Sequence, residues 1–214
     1  QTNGILIDQA WALLFKQYHF LVGLSLDGPE HIHDHYRMQK KGKSSFEKVT
    51  AAAKRLLDAG VEVNVLTVIN DYSVQFPDEI YSFHKSLGLH FMQFIPCLET
   101  NPDGKGVANY SVSAGDYGKF LCKLFDLWLG DFSNGIPTTS IRFFESLLFQ
   151  YAGFAPTECT QSKTCGNYLV IEHNGDVYPC DFYVDPDWKL GNLLETPLPA
   201  LMNLDKQTEF GKMK

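Results

Sequence analysis

No stretch of this 214-residue chain holds the run of about 18 apolar residues that a membrane-spanning helix needs, so none is read. Positive charge is also short. Against 25 Asp and Glu stand 18 Lys and Arg, a net charge of −7 that leaves no basic stripe for a nucleic-acid backbone. The N-terminus has no basic segment leading into an apolar one, as a secretory leader would, and residue 1 is Gln rather than Met. Internal repeats and low-complexity tracts are missing. Cysteines number five, an odd count that suits no secreted disulfide framework and points to a reducing cytoplasm with thiols free for metal. Neither end carries a start or stop signature, so the chain is expected to be an internal piece of a longer protein. What remains is ordinary for a packed protein: 44% hydrophobic and 20% charged residues.

Along the chain, strands and helices alternate. Asp8 caps a helix to about Gln17 with Trp11, Leu14 and Phe15 on one face. Phe20 to Leu26 is a nearly continuous apolar run, a strand buried on both faces, and it stops at the turn Asp27-Gly28-Pro29. A polar loop with His31, His33, Asp34, His35 and Arg37 follows. Ser44 and Glu47 read as a capping box for a helix that Gly60 ends. Val61 to Ile69 is a β-branched strand; Pro77 opens a helix that Gly88 closes; His90 to Ile95 is a third strand, broken by Pro96. This order predicts right-handed βαβ units and a parallel sheet, part of an α/β barrel or a doubly wound sheet.

Beyond Cys97 a polar loop leads to a helix from Ser113 to about Gly130, then to an apolar helix from Arg142 to Tyr151. A short helix near Leu198 to Leu204 closes the chain after a Leu190-Gly-Asn-Leu193 turn. The boundary between a sheet domain, residues 1–137, and a cysteine-bearing module, residues 138–214, is placed on this change of texture. Cys97 and Cys122 read as small buried hydrophobes.

Chemistry gathers where parallel strands end. Those positions are Ser25 and Asp27, Thr67 to Asn70, and Gln93 to Glu99, although Asp27-Gly28-Pro29 also suffices as a plain turn. The His31, His33, His35 trio would line up on a metal only along an extended strand, and Pro29 argues for a loop or helix start instead.

Cys159, Cys165 and Cys180 carry more. Two β-rich runs joined by Asn174-Gly175 predict a β-hairpin that returns Cys180 toward Cys159 and Cys165. The spacing is not the paired C-x2-C of a zinc ribbon, and cysteine thiolates also hold iron–sulfur clusters. Asp181, next in sequence, reads as a buried general base or as a turn residue.

The residues Gln1-Thr-Asn-Gly4, Gly23-Leu-Ser-Leu-Asp-Gly-Pro29, His33-Asp34 with Arg37, and Phe94-Ile-Pro-Cys-Leu98 resemble the radical S-adenosylmethionine core of anaerobic sulfatase-maturating enzymes. Cys159-x5-Cys165 and the run from Asn174 through Cys180-Asp181 to Val184 look like the start of that family's SPASM iron–sulfur module. The resemblance implies the C-terminal part of a partial (β/α)6 radical-SAM barrel followed by a truncated SPASM module with its hairpin. It implies oxidation of a cysteine or serine in a sulfatase peptide to Cα-formylglycine, through a radical made from S-adenosylmethionine at a [4Fe-4S] cluster. By the same resemblance Asn3, Ser25, Arg37 and Leu98 line the S-adenosylmethionine pocket, with Arg37 on its carboxylate. Cys159, Cys165 and Cys180 are auxiliary-cluster ligands, and Asp181 is the general base.

The C-x3-C-x2-C loop of the radical-generating cluster is not among these 214 residues, so they are expected to be inactive alone and to hold no cofactor. An exposed parallel edge invites self-association. Two other readings stay open: a SPASM enzyme that crosslinks a different peptide, and a non-catalytic module that binds a peptide or zinc.

Overall fold

Val63, Val65, Leu66 and Ile69 give the longest strand apolar side chains on both faces, and the first sheet is built around it. The computed structural model describes residues 1–101 and 103–214. Its contacts form two units, residues 1–145 and 146–214. This division is not the one between 137 and 138. Ser140 and Ile141 add a strand to the sheet, and Phe144 packs on Trp128 with ring centroids 5.5 Å apart, so the sheet unit keeps both.

In the first unit the order is α1 (Gln9–Gln17), β1 (Leu21–Ser25), α2 (Glu30–Tyr36), α3 (Phe46–Asp58), β2 (Glu62–Ile69), α4 (Pro77–Ser86), β3 (Phe91–Pro96) and α5 (Ala114–Gly130). A two-stranded ribbon, β4 (Phe132–Ser133) with β5 (Ile136–Pro137), precedes β6 (Ser140–Ile141); α6 (Arg142–Tyr151) begins in this unit and runs past its end at residue 145. The sheet runs β1-β2-β3-β6, every pair parallel. All strand C-termini therefore point to one edge. Thr2 adds a single parallel bridge outside β1.

Several local expectations are corrected. The segment read as a polar loop is helix α2, because Pro29 presets its N-terminal φ at −55° and Glu30 complements the first turn. The capping box at α3 does not form. Oδ1 of Asp34 accepts the N–H groups of Ser45 (3.1 Å) and Phe46 (3.3 Å), a full carboxylate at the positive helix end, and Ser45 turns inward. On α1 only Ala12 is buried, while Trp11 and Leu14 are exposed; the lone bridge at Thr2 gives that helix little sheet to cover. Strand β3 includes Pro96, since the next ladder donor is the Cys97 N–H, 2.7 Å from the Ile69 carbonyl oxygen. Cys122 is exposed and Cys97 only half buried. On α5 the buried positions are Phe120, Leu124 and Trp128, which turn residue 122 outward.

The second unit is smaller. Strands β7 (Val170–Ile171), β8 (Asp176–Tyr178) and β9 (Gly191–Asn192) form an antiparallel sheet, the last where a simple turn was expected. Val177, Leu190 and Leu201 make its core. The β7–β8 connection is a four-residue turn, in which the Gly175 N–H donates to the Glu172 carbonyl at 2.9 Å and Gly175 alone has positive φ, +87°. A side chain there would meet Asn192 Oδ1 at 2.9 Å. Helices α7 (Leu198–Met202) and α8 (Asp205–Lys212) follow. Sequence periodicity misses α8, because Phe210 is its one large apolar residue and Gly211 sits inside it.

Candidate functional site

Cys159 opens a 3-10 turn, Cys165 lies in the loop after it, and Cys180 directly follows the turn leaving β8. None is in a disulfide, and all are half buried. The three line one cavity of about 610 Å³ with Phe182, Tyr183, Phe210 and Met213 among its walls. Helix α8 holds the loops in place. The Cys165 N–H donates to the Gly211 carbonyl at 3.1 Å, and Gln207 Nε2 donates to the carbonyls of Gly166 (2.9 Å) and Tyr168 (3.3 Å). Lys214 Nζ donates to the carbonyls of Cys159 (2.6 Å) and Thr160 (2.8 Å). The ring of Phe210 meets Tyr183 and Trp188 edge-on, at 5.3 and 5.2 Å.

Asp181, next to Cys180, is exposed rather than buried as a general base was expected to be, and it is not among the residues that line the cavity. Its Oδ1 accepts the Tyr168 hydroxyl at 2.8 Å, and lies 3.6 Å from Cys180 Sγ. The Tyr168 oxygen is itself 3.5 Å from that sulfur. Burial, then the hydrogen bonds to Cys180 and Asp181, raise the phenol's pKa, so it remains a proton donor.

Among the described residues no three His, Cys, Asp or Glu side chains gather tightly enough for a single metal ion. A zinc site would require that, with sulfurs about 2.3 Å from one centre. An iron–sulfur cluster does not, since each cysteine binds a different iron and the thiolates stand apart around the cluster. Three free thiols spread around one cavity fit the cluster better.

The strand-end edge of the first unit is organised by Asp27. Its carboxylate is almost fully buried: Oδ1 accepts the Val68 N–H at 2.9 Å and Oδ2 accepts Arg37 Nε at 2.5 Å. The His33 Nδ1 accepts the Asp27 N–H at 3.3 Å, so the ring proton sits on Nε2 and is shared with Ser45 Oγ at 3.0 Å. Ser45 Oγ in turn donates to the Arg37 carbonyl. Burial lowers the His33 pKa, which keeps the ring neutral. Arg37 and Asp27 line a pocket of about 200 Å³ with Tyr36, Val68, Asn70, Cys97 and Tyr110. Ser25 ends β1 beside the Thr2–Asn3 segment, its N–H on the Thr2 carbonyl at 2.9 Å. Asn3 and Leu98 are exposed, Leu98 to 73%, and neither they nor Ser25 line the Arg37 pocket. The three histidines disperse: His31 pairs with Glu79 at 3.1 Å, His33 with Ser45, and His35 stacks on Tyr72.

Residues 159–214 match the model of SPASM, an iron-sulfur cluster-binding domain. The cysteine-type anaerobic sulfatase-maturating enzyme of Clostridium novyi is 43% identical over 98% of this chain and 56% of its own length. The serine-type enzyme of Bacteroides thetaiotaomicron is 39% identical over the whole of this chain and 54% of its own. A solved structure of native anSMEcpe with bound AdoMet and Cp18Cys peptide superposes with a TM-score of 0.86, at 41% identity, over 99% of this chain and 58% of that one. The chain belongs to the anaerobic sulfatase-maturating enzyme family. It spans a little over half the length of these relatives.

For this family member, sequence reasoning missed the Asp27–Arg37 pair, the Tyr168 hydroxyl and the clamps from α8. The first had a signal: an acid directly after a buried strand, with an arginine in the next element. Tyr168 had none beyond its place between two cysteines, and α8 lacks an apolar stripe.

Proposed function

We propose that the protein is an oxidoreductase that converts a cysteine or serine side chain of a sulfatase peptide to Cα-formylglycine. Three free thiols around one cavity, with the Asp181 carboxylate 3.6 Å from the Cys180 sulfur, are the observation that carries this reading. Cys159, Cys165 and Cys180 would hold three corners of an auxiliary [4Fe-4S] cluster, and a fourth ligand comes from elsewhere. S-adenosylmethionine, were it bound, would supply a carbon radical that takes one hydrogen atom from the substrate Cβ; the remaining electron would go to the cluster, and with a cysteine substrate water would replace the sulfur, which leaves as sulfide.

The chain's own residues do the rest. Asp181 takes the proton of the substrate thiol or hydroxyl, a role that needs hydrogen-bond reach and a fixed orientation. Arg37 keeps its terminal guanidinium nitrogens for the S-adenosylmethionine carboxylate while Asp27 holds Nε. Ser25, Asn3 and Leu98 contribute the neighbouring strand-end segments. The parallel sheet is the C-terminal part of a partial (β/α)6 barrel, and the β7–β8 hairpin with its cysteine loop begins the SPASM module. A reducing cytoplasm suits the five unpaired thiols.

The test is anaerobic turnover of cysteine- and serine-bearing sulfatase peptides by the protein that carries this chain. Aldehyde formation, trapped with a hydrazine and read by mass spectrometry, is expected. It should be lost in Asp181→Asn with peptide binding retained; an Asp181→Asn protein of undiminished rate would remove Asp181 from the mechanism.

A further inference from the structure

One side chain touches both the carboxylate and a cysteine sulfur of this site. The Tyr168 hydroxyl donates to Asp181 Oδ1 at 2.8 Å and its oxygen rests 3.5 Å from Cys180 Sγ. Its backbone carbonyl is in turn held by Gln207 Nε2 at 3.3 Å, so the residue is fixed from behind. The carboxylate and sulfur would both be anionic with a cluster bound. Two anions that close repel unless a donor lies between them. Tyr168 has one proton to share between two acceptors, and rotation about its C–O bond decides which receives it.

We propose that Tyr168 is a positioning residue: its hydroxyl orients the Asp181 carboxylate and couples it to the cluster-ligand sulfur of Cys180. This rests on the assignment of Cys180 as a ligand and Asp181 as the base. A hydrogen bond to a ligand sulfur stabilises the more negative, reduced cluster. The phenol therefore holds the potential up to the extent that Asp181 leaves its proton free.

The experiment is a double-mutant cycle on the reduction potential of the anaerobically reconstituted protein, followed by EPR. Tyr168→Phe should shift the potential negative with iron content unchanged. In an Asp181→Ala background the hydroxyl has only the sulfur to serve, so Tyr168→Phe should produce a larger negative shift there. Equal shifts in the two backgrounds, or none, would overturn the coupling. Loss of iron in Tyr168→Phe would overturn it as well, by making the phenol a structural wall of the pocket. A wild-type protein that takes up no iron fails at the earlier step: it defeats the cluster assignment, and the present proposal with it.

Discussion

A methyl group on Gly211 would stand 2.8 Å from the carbonyl oxygen of Cys165, closer than backbone and side-chain atoms approach. The helix interior carries a glycine here because α8 lies directly on the cysteine loop, where any side chain would push Cys165 away. Gly211→Ala is therefore expected to lower iron uptake several-fold although alanine is the better helix former by about 1 kcal/mol. Iron content against helicity by circular dichroism checks this. Undiminished iron with a normal helix would mean that the loop is not held by α8.

The buried Asp27–Arg37 pair predicts a stability effect in the first unit. Asp27→Ala strands a guanidinium that is only partly solvated and orphans the Val68 N–H, so a loss of about 3 kcal/mol is expected. Urea denaturation measures it. Arg37→Ala should cost less, because Asp27 retains the Val68 N–H and the water that can reach the vacated guanidinium site.

His84 makes stability depend on pH. Thr67 donates its hydroxyl to the Leu26 carbonyl, so His84 Nε2 must donate to Thr67 Oγ1, and Nδ1 is left buried without a partner. Protonation there would bury an unpaired cation, and burial lowers the pKa from 6.5 to about 3. Below 6.5 the unfolded chain binds a proton that the folded chain refuses. Stability is thus full above pH 6.5 and falls by up to about 1.4 kcal/mol per pH unit as pH drops toward 3. Denaturation midpoints at pH 7 and pH 5 should show the fall in the wild type and a flatter profile in His84→Asn.

The cysteines should divide by function. Cys159→Ser, Cys165→Ser and Cys180→Ser are each expected to lose most cluster iron, because each thiol faces the same cavity. Cys122→Ser should lose none, its side chain being exposed on α5. Equal losses from Cys122→Ser would place the iron elsewhere.

Much of the fold was readable because its signals are local. Continuous apolar runs marked β1, β2 and β3, and Pro77, Ser113 and Arg142 marked helix starts to within a residue. The gathering of Cys159, Cys165 and Cys180 around one cavity was legible from the hairpin signal at Asn174-Gly175. What escaped is non-local. Asp34 reaches across from α2 to cap α3, displacing the Ser44–Glu47 box that short-range spacing offered. Trp11 and Leu14 have a good helical stripe, yet only the neighbouring sheet decides whether a stripe is covered. Helix α8 is held by Gln207 and Gly211 contacts to a loop more than forty residues earlier and by Phe210 contacts to Tyr183 and Trp188, and no periodicity encodes those. Tyr168 gained its meaning from the turn at Gly175, which brings Asp181 back to it.

The central claim is that Cys159, Cys165 and Cys180 hold an iron–sulfur cluster. Anaerobic reconstitution with iron and sulfide, followed by elemental analysis and Mössbauer spectroscopy of the purified protein, tests it most directly. The account predicts iron and acid-labile sulfide in equal amounts, lost together in Cys180→Ser. Stoichiometric zinc without iron, or an iron content unchanged by removal of all three thiols, would contradict it.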